Sequence, residues 1–413
     1  MLSYGNALAN KNEIRQFAES LQSIDPLERI TALKMIAKYG SSDESLFALI
    51  NNLILKEVAG GYAFDETAAN RQTMRIGGAS SHATYFDELA WMCETLAYSG
   101  FSPYRSTLKQ VYETAPAAGK LKRYAEQTLN KLDKYEKIIQ CTTGTRSNID
   151  HESARYICMI EAEPINIKKN GALHIYWSLE LDNQVYKTLK TELLKNLALI
   201  EKQNPVDSFA DDGVVADKHL VDCLAWMCKA LASSGQAEYQ ATLTAVTSKA
   251  RKLGLYKLAD HARRSNALIP QIIKAYATRE AVENSFGNLM PAAIKSICLV
   301  KSNNLFLKSF GAQHIYWSER KNVQITDVVE KELLTLNEIY YSPGAENYGI
   351  YNNISTSSKK RPKITRDTIN SMIWLCKVLG ASGNKKYLST LKKIDSSNQP
   401  HTRLKHVLKK YIN

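Results

Sequence analysis

Two histidines in this sequence lie in surroundings suited to chemistry. His174 and His314 each begin the tetrapeptide HIYW, 140 residues apart, and a histidine beside tyrosine and tryptophan is suited to proton transfer or to stacking against a ligand. Neither has a carboxylate or a cysteine at the spacing of metal ligands. Because each unit of a repeat protein must bury the same faces, we interpret both histidines as packing residues. The first copy has Lys34 at this position.

Three tryptophans, Trp91, Trp226 and Trp374, occupy equivalent places in three similar segments. Exposed aromatic side chains stack on nucleobases or sugars, whereas a tryptophan beside the apolar seam of a helix wedges between neighbouring helices. Each of the three lies two residues after the first apolar position of its helix. This placement favours packing.

The sequence lacks the motifs of common catalytic and cofactor sites. It has no nucleophile elbow, no phosphate-binding glycine loop and no HExxH. The run Asp211, Asp212 and Gly213 lacks the spacing of a calcium-binding loop. We therefore predict no catalytic residue, no cofactor and no metal site.

The recurring residues belong to a threefold internal repeat. The clearest copies are LAWMCETLAYSGFSPYRSTL from Leu89, LAWMCKALASSGQAEYQATL from Leu224 and MIWLCKVLGASGNKKYLSTL from Met372. Self-similarity of this kind is typical of repeat architectures. It predicts one continuous solenoid of three repeats: repeat 1 (residues 1–140), repeat 2 (141–281) and repeat 3 (282–413).

Apolar spacing predicts six helices in each repeat, about 18 in all. In the fourth helix of repeat 1 a stripe with the 3.6-residue helical period is formed by Leu89, Met92, Cys93, Leu96 and Ala97. A glycine follows the stripe in each repeat, where a left-handed residue ends a helix at little cost: Gly100, Gly235 and Gly383. HIYW is the most strand-like tetrapeptide, but it lies in a segment of helical period and is interpreted as helix.

The stretches DELAWMCETLAYSG and CLAWMCKALASSG, each closing in a Ser-Gly turn, resemble HEAT-type repeats of the armadillo-like class. The resemblance covers nearly the whole chain. It implies an all-α fold, an α-solenoid in which antiparallel helical pairs form a superhelical stack. It implies no catalytic residues, because this class serves many unrelated interaction roles. A HEAT-like fold also hosts DNA glycosylases, so a DNA-processing enzyme is a third alternative.

Composition favours an acidic partner. The 413 residues include 54 lysines and arginines against 41 aspartates and glutamates, a formal net charge of +13. No apolar run reaches the roughly 18 residues of a transmembrane helix. Seven cysteines without a CxxC pair argue against a complete disulfide framework and a zinc site. Five of them recur on apolar helix faces and are interpreted as small core residues. Free thiols favour the cytoplasm, while a chain with a removed signal peptide would be periplasmic or secreted.

Three long polar segments interrupt the repeats, at about 56–82, 202–218 and 340–366. Insertions at equivalent positions of a solenoid emerge on one face, which often binds partners. The first and third carry candidate partner-binding residues: Arg71, Arg75, Lys359, Lys360, Arg361 and Lys363. The alternative interpretation is a solvated linker.

Basic residues also cluster on the sixth helix of each repeat. In repeat 3 the candidate partner-binding residues are Arg403, Lys405 and Lys410. Regular stacking would align these helices into a basic stripe that follows a phosphate backbone or an acidic protein. The alternative is a solvated face that keeps the repeats soluble.

These features support three functional hypotheses. The first is a non-enzymatic scaffold or adaptor that binds another protein through the solenoid surface and the three segments, within a larger assembly. The second is binding of nucleic acid, or of another polyanion, through the basic stripe. The DNA-processing enzyme is the third.

Overall fold

A computed structural model describes ten ranges of the chain: residues 14–39, 43–62, 81–116, 119–145, 149–179, 181–203, 217–287, 289–341, 364–396 and 401–412. Across these ranges the chain is helical and contains no strand. The described residues form 18 helices with defined bounds, preceded by a helical stretch over residues 14–21. The predicted all-α class is confirmed.

Repeats 1 and 2 each contain six helices, as predicted. Repeat 1 comprises α1 (described over 14–21), α2 (Pro26–Tyr39), α3 (Glu44–Ala59), α4 (Ser81–Ser99), α5 (Arg105–Thr114) and α6 (Lys120–Thr145). The last of these helices continues five residues past the predicted end of repeat 1 at residue 140. Repeat 2 comprises α7 (His151–Glu161), α8 (Ile165–Trp177), α9 (Asn183–Gln203), α10 (Lys218–Ser233), α11 (Tyr239–Lys252) and α12 (Tyr256–Tyr276). Both HIYW segments are helical, which confirms that interpretation.

One short helix that was not expected, α13 (Arg279–Phe286), crosses the predicted boundary between repeats 2 and 3 and precedes the six expected helices of repeat 3. These are α14 (Pro291–Val300), α15 (Leu305–Ser318), α16 (Val323–Tyr341), α17 (Arg366–Ala381), α18 (Leu388–Ser396) and α19 (Thr402–Ile412). The long polar segments fall between the third and fourth helices of each repeat. Most of their length, with Arg71, Arg75, Lys359, Lys360, Arg361 and Lys363, lies outside the described residues.

Local sequence sets where these helices begin and end. Asp150 accepts a hydrogen bond from the backbone N–H of Ser153, and Asn304 from that of Leu307, so each side chain satisfies a donor that the first helical turn leaves unpaired. Thr365 opens α17 with a reciprocal capping box. The glycines predicted to end the fourth helices all have positive φ values, of 71°, 67° and 72°: Gly100, Gly235 and Gly383. That prediction is confirmed.

The chain forms two compact units, a larger one over residues 14–269 and a smaller one from Pro270 onward. The boundary falls inside α12, so it does not coincide with the predicted repeat boundaries. In the larger unit α2 packs on α4, α4 on α6, and α8 on α10. The same pairing of second with fourth and of fourth with sixth helices recurs in the smaller unit, where α15 packs on α17 and α17 on α19. The continuous solenoid of three repeats remains a prediction.

The cysteine interpretation is confirmed at four of five repeated positions and wrong at the fifth. The recurring cysteines that are free and buried are Cys93, Cys228, Cys298 and Cys376. Cys158 is buried as expected, but it forms a disulfide with Cys141. The bond joins α6 to α7, the last helix of repeat 1 to the first helix of repeat 2. Free thiols therefore no longer serve as an argument for the cytoplasm.

Within the part of the chain that the structure describes, no helix combines the length and apolar character needed to cross a membrane.

Candidate anion-binding site

The smaller unit presents an aromatic–cationic cluster, which we call the repeat-3 cluster: Tyr316, Trp374, Lys377, Arg403 and Lys410. Tyr316 on α15 meets the half-buried Trp374 on α17 edge to face, with ring centroids 5.8 Å apart. The ammonium group of Lys377, one turn further along α17, lies 4.1 Å from the centroid of the Trp374 ring. The indole thus holds a lysine in place by a cation–π contact.

Lys377 carries its charge in unfavourable surroundings. Burial lowers the pKa of Lys377, and the positive charges of Lys410 and Arg403 lower it further. Within the described residues, neither Lys377 nor Arg403 forms an ion pair with a carboxylate. A half-buried ammonium group beside two cations favours the arrival of an anion.

Packing of α19 on α17 brings these cations together. Leu404 and Leu408 of α19 are fully buried, whereas Arg403 and Lys410 are exposed and lie near enough to Lys377 of α17 to lower its pKa. The two cations are seven residues apart, two helical turns, so they share one face about 10 Å in length. Close approach requires Gly380, because a Cβ atom there would lie 2.2 Å from the ring of Tyr411 on α19.

An equivalent arrangement, the repeat-2 cluster, occurs in the larger unit. Tyr176 and Trp226 lie 5.7 Å apart, and the ammonium group of Lys229 is 3.9 Å from the Trp226 centroid. Aligning the fully buried Leu258 and Ala262 of α12 with Leu404 and Leu408 of α19 matches two pairs of cations across the repeats. These are Lys257 with Arg403, and Arg264 with Lys410.

The repeat-2 cluster differs in having its own carboxylate. Asp222, four residues before Trp226, lies 2.6 Å from Lys169 Nζ and 3.7 Å from Lys257 Nζ. Burial raises the pKa of Asp222, but the hydrogen bond from Lys169 and the charges of the surrounding lysines outweigh burial and hold it below its usual value. Repeat 3 has Asn370 at the place of Asp222, and Ser309 at the place of Lys169. The carboxylate and one lysine are lost together, while the other cations stay.

Repeat 1 is neutralised more completely still. Asp87, four residues before Trp91, forms an ion pair with Lys120 of the sixth helix. The residue three positions after the tryptophan is Glu94 instead of lysine, and it is paired with Lys131. The cation over the Trp91 ring is Lys34, 5.1 Å from the centroid.

Charge around the fourth to sixth helices therefore rises along the chain. Residues 81–145 contain eight lysines and arginines against seven carboxylates, and residues 217–276 contain nine against four. Residues 364–412 contain ten against two, Asp367 and Asp395. The positive potential is concentrated in repeat 3.

Three of the predicted partner-binding residues lie on α19 within the described residues, and their role in binding stays a prediction. Arg403, Lys405 and Lys410 are all exposed. His174 and His314 are 2% and 8% exposed, in agreement with packing. The three tryptophans are half-buried instead of fully buried, and their rings support cations.

Sequence reasoning missed Lys377 and Asn370. The sequence did contain a signal for both, because two charged or polar positions beside the repeated tryptophan change between the copies. Three positions after the tryptophan the residues are Glu94, Lys229 and Lys377, and four positions before it they are Asp87, Asp222 and Asn370.

In the described ranges, no three side chains of histidine, cysteine, aspartate or glutamate come close enough to hold a metal ion. Comparison with models of known protein families and with curated proteins gives no match to this chain.

Proposed function

We propose that this chain is a non-enzymatic binding protein, a HEAT-like helical-repeat scaffold that holds a nucleic acid by its phosphate backbone on the basic face of repeat 3. The observation that carries the proposal is the cationic surface of α17 and α19. There Lys377, Arg403 and Lys410 converge, and the flanking region has ten basic residues against two acidic ones. Electrostatic contacts to phosphates supply most of sequence-independent nucleic-acid binding.

The exposed surface of this region favours a nucleic acid over a lipid bilayer. Peripheral helices that bind membranes bury an apolar face between the headgroups. Among the described residues from 364 to 412, Ile364 just before α17 is the one large hydrophobic side chain that is exposed. The apolar residues of α19, such as Leu404 and Leu408, are already buried in the fold.

The proposal is tested with a triple charge reversal, Arg403→Glu, Lys405→Glu and Lys410→Glu. Affinity for a fluorescently labelled single-stranded oligonucleotide is measured by anisotropy at several salt concentrations. Removing three phosphate contacts reduces the salt slope of log K by about 2, which corresponds to a loss of about 100-fold at 0.1 M salt. The matched control reverses three exposed lysines of α9 in the larger unit, Lys187, Lys190 and Lys202, and is expected to retain affinity.

An affinity that the triple variant and the control share would overturn the proposal. So would a wild-type chain that binds no oligonucleotide at low salt. If such a chain instead captured an acidic protein, and deletion of residues 342–363 abolished the capture, the protein-scaffold hypothesis would replace the nucleic-acid proposal.

A further inference from the structure

We propose that the repeat-3 cluster is a site for a single phosphate group of the bound nucleic acid, and that this phosphate occupies the position that the Asp222 carboxylate takes in repeat 2. This inference rests on the proposed function and makes it specific to one place. It assigns the main contacts to Lys377 and Arg403.

Repeat 2 shows how an anion fits this architecture. The Asp222 carboxylate lies between Lys169 and Lys257, within 2.6 and 3.7 Å of their ammonium groups, beside the lysine stacked on Trp226. A fixed carboxylate among cations is an internal counterpart of a bound anion. Repeat 1 repeats the arrangement with Asp87 and Lys120.

Repeat 3 keeps two of the three cations around Asp222 and lacks the carboxylate together with Lys169, whose place is taken by Ser309. Arg403 corresponds to Lys257, and Lys377 corresponds to Lys229, but the residue at the place of Asp222 is Asn370. Asparagine has nearly the shape of aspartate, so the packing is preserved while the negative charge is lost. An anion from solution would give Lys377 and Arg403 the nearby counter-charge that Asp222 gives the lysines of repeat 2.

The cost of holding Lys377 also points to a ligand. The side chain is half-buried between Trp374 and the cations of α19, and burial and like charge lower its pKa. A methionine would fill the same space without that cost. Binding of an anion raises the pKa of Lys377 again, so affinity is highest at a pH below the lowered pKa and falls as the pH rises through it.

A phosphate diester fits this set of donors. Arg403 supplies a guanidinium group that matches two phosphate oxygens, and Lys377 supplies a point charge. The exposed Lys410, two turns from Arg403 on the same face, extends the cationic surface toward a neighbouring phosphate.

The decisive variant is Asn370→Asp, which gives repeat 3 the carboxylate of repeat 2. One neutralised cation lowers oligonucleotide affinity about 5-fold at 0.1 M salt and reduces the salt slope by about 0.7. The matched control is Asn303→Asp on an exposed turn of the same unit, which makes the same change in net charge and is expected to leave affinity unchanged. Lys377→Met is expected to lose affinity to a similar extent with an unchanged or higher Tm.

A second measurement uses inorganic phosphate and follows the lysine ε-methylene signals by NMR, with Lys377 assigned from the Lys377→Met spectrum. Phosphate is expected to raise the pKa of Lys377 in the wild type and not in Asn370→Asp. If triple reversal on α19 abolishes oligonucleotide binding but Asn370→Asp and Lys377→Met do not weaken it, this site is refuted and the proposed function stands. If phosphate shifts Lys377 but no oligonucleotide binds, the site stands and the nucleic acid is refuted as its source.

Discussion

Repeats 2 and 3 contain the same contact of tyrosine, tryptophan and lysine. In repeat 2 a carboxylate lies beside it, and in repeat 3 that carboxylate is replaced by an amide. The distances from tyrosine to tryptophan, 5.7 and 5.8 Å, and from lysine to tryptophan, 3.9 and 4.1 Å, are nearly identical. What changes is the ion pair beside this contact: Asp222 and Lys169 in repeat 2 are replaced by Asn370 and Ser309 in repeat 3. The comparison indicates that the recurring aromatic residues serve packing. The polar residue that varies between the copies marks where their electrostatics differ.

The two repeats also share a buried ion pair, which provides the largest expected effect. Lys168 and Glu192 in repeat 2 are 7% and 8% exposed, and their counterparts Lys308 and Glu332 are 5% and 20% exposed. Breaking a buried pair leaves an uncompensated charge and typically costs about 3 kcal/mol or more. Lys308 additionally donates a hydrogen bond to the Val300 carbonyl. Because this hydrogen bond remains when the carboxylate is removed, the loss of unfolding free energy at Lys308 is expected to be smaller.

We expect Glu192→Gln to lower the free energy of unfolding by about 3 kcal/mol and Glu332→Gln to lower it less, as measured by denaturant unfolding. Burial raises the pKa of Glu192, but Lys168 and Lys195 outweigh burial and hold that pKa below its ordinary value. The stability from Glu192 is therefore present above its unfolded pKa and lost as the pH falls through the folded one. Equal costs at the two sites, or an unchanged acid transition in Glu192→Gln, would contradict this account.

The second prediction concerns how α19 reaches α17. Gly380 stands in repeat 3 where repeat 2 has Ala232, and Tyr411 stands where repeat 2 has Ser265. Repeat 3 therefore pairs a glycine with a large ring, whereas repeat 2 pairs two small side chains. Gly380→Ala places a methyl group into the Tyr411 ring and is expected to cost about 2 kcal/mol. In the Tyr411→Ser background the same substitution should cost much less. The measurement is a double-mutant cycle of unfolding free energies, and additivity would refute the contact.

The smallest effect comes from converting repeat 2 into repeat 3. Asp222→Asn leaves Lys169, Lys229 and Lys257 without their shared carboxylate, and we expect oligonucleotide affinity to rise about 5-fold at 0.1 M salt. Because the pairs are partly exposed, the change in Tm should be small. Anisotropy titrations alongside Asp217→Asn, an exposed substitution of the same charge, check this outcome. A rise in affinity shared by both variants would mean that net charge alone is responsible.

Periodic features of the fold could be predicted from the sequence, because packing repeats them. The helix ends at Gly100, Gly235 and Gly383 follow from a residue type and a local rule, as does the exposed basic side of α19. The short helix α13 could not be predicted in the same way, since it has no counterpart in the other repeats.

The candidate site was only half visible in the sequence for a different reason. The meaning of Asn370 depends on Asp222 lying between Lys169 and Lys257, residues that are separated by 53 and 35 positions and meet only in the folded chain. The disulfide of Cys141 could not be predicted either, because no cysteine stands at the equivalent position of the other repeats. The repeat predicts what its copies share, whereas the proposed site depends on residues in which they differ.

The disulfide between Cys141 and Cys158 has a topological consequence. It ties the end of one repeat to the start of the next across 17 residues, so a protease that cuts the backbone between α6 and α7 produces two polypeptides that remain a single molecule until a reductant is added. At the following junction Cys298, which corresponds to Cys158, is a free and buried cysteine, and Ala281 stands at the place of Cys141. A nick there releases the carboxyl-terminal piece from any covalent tether.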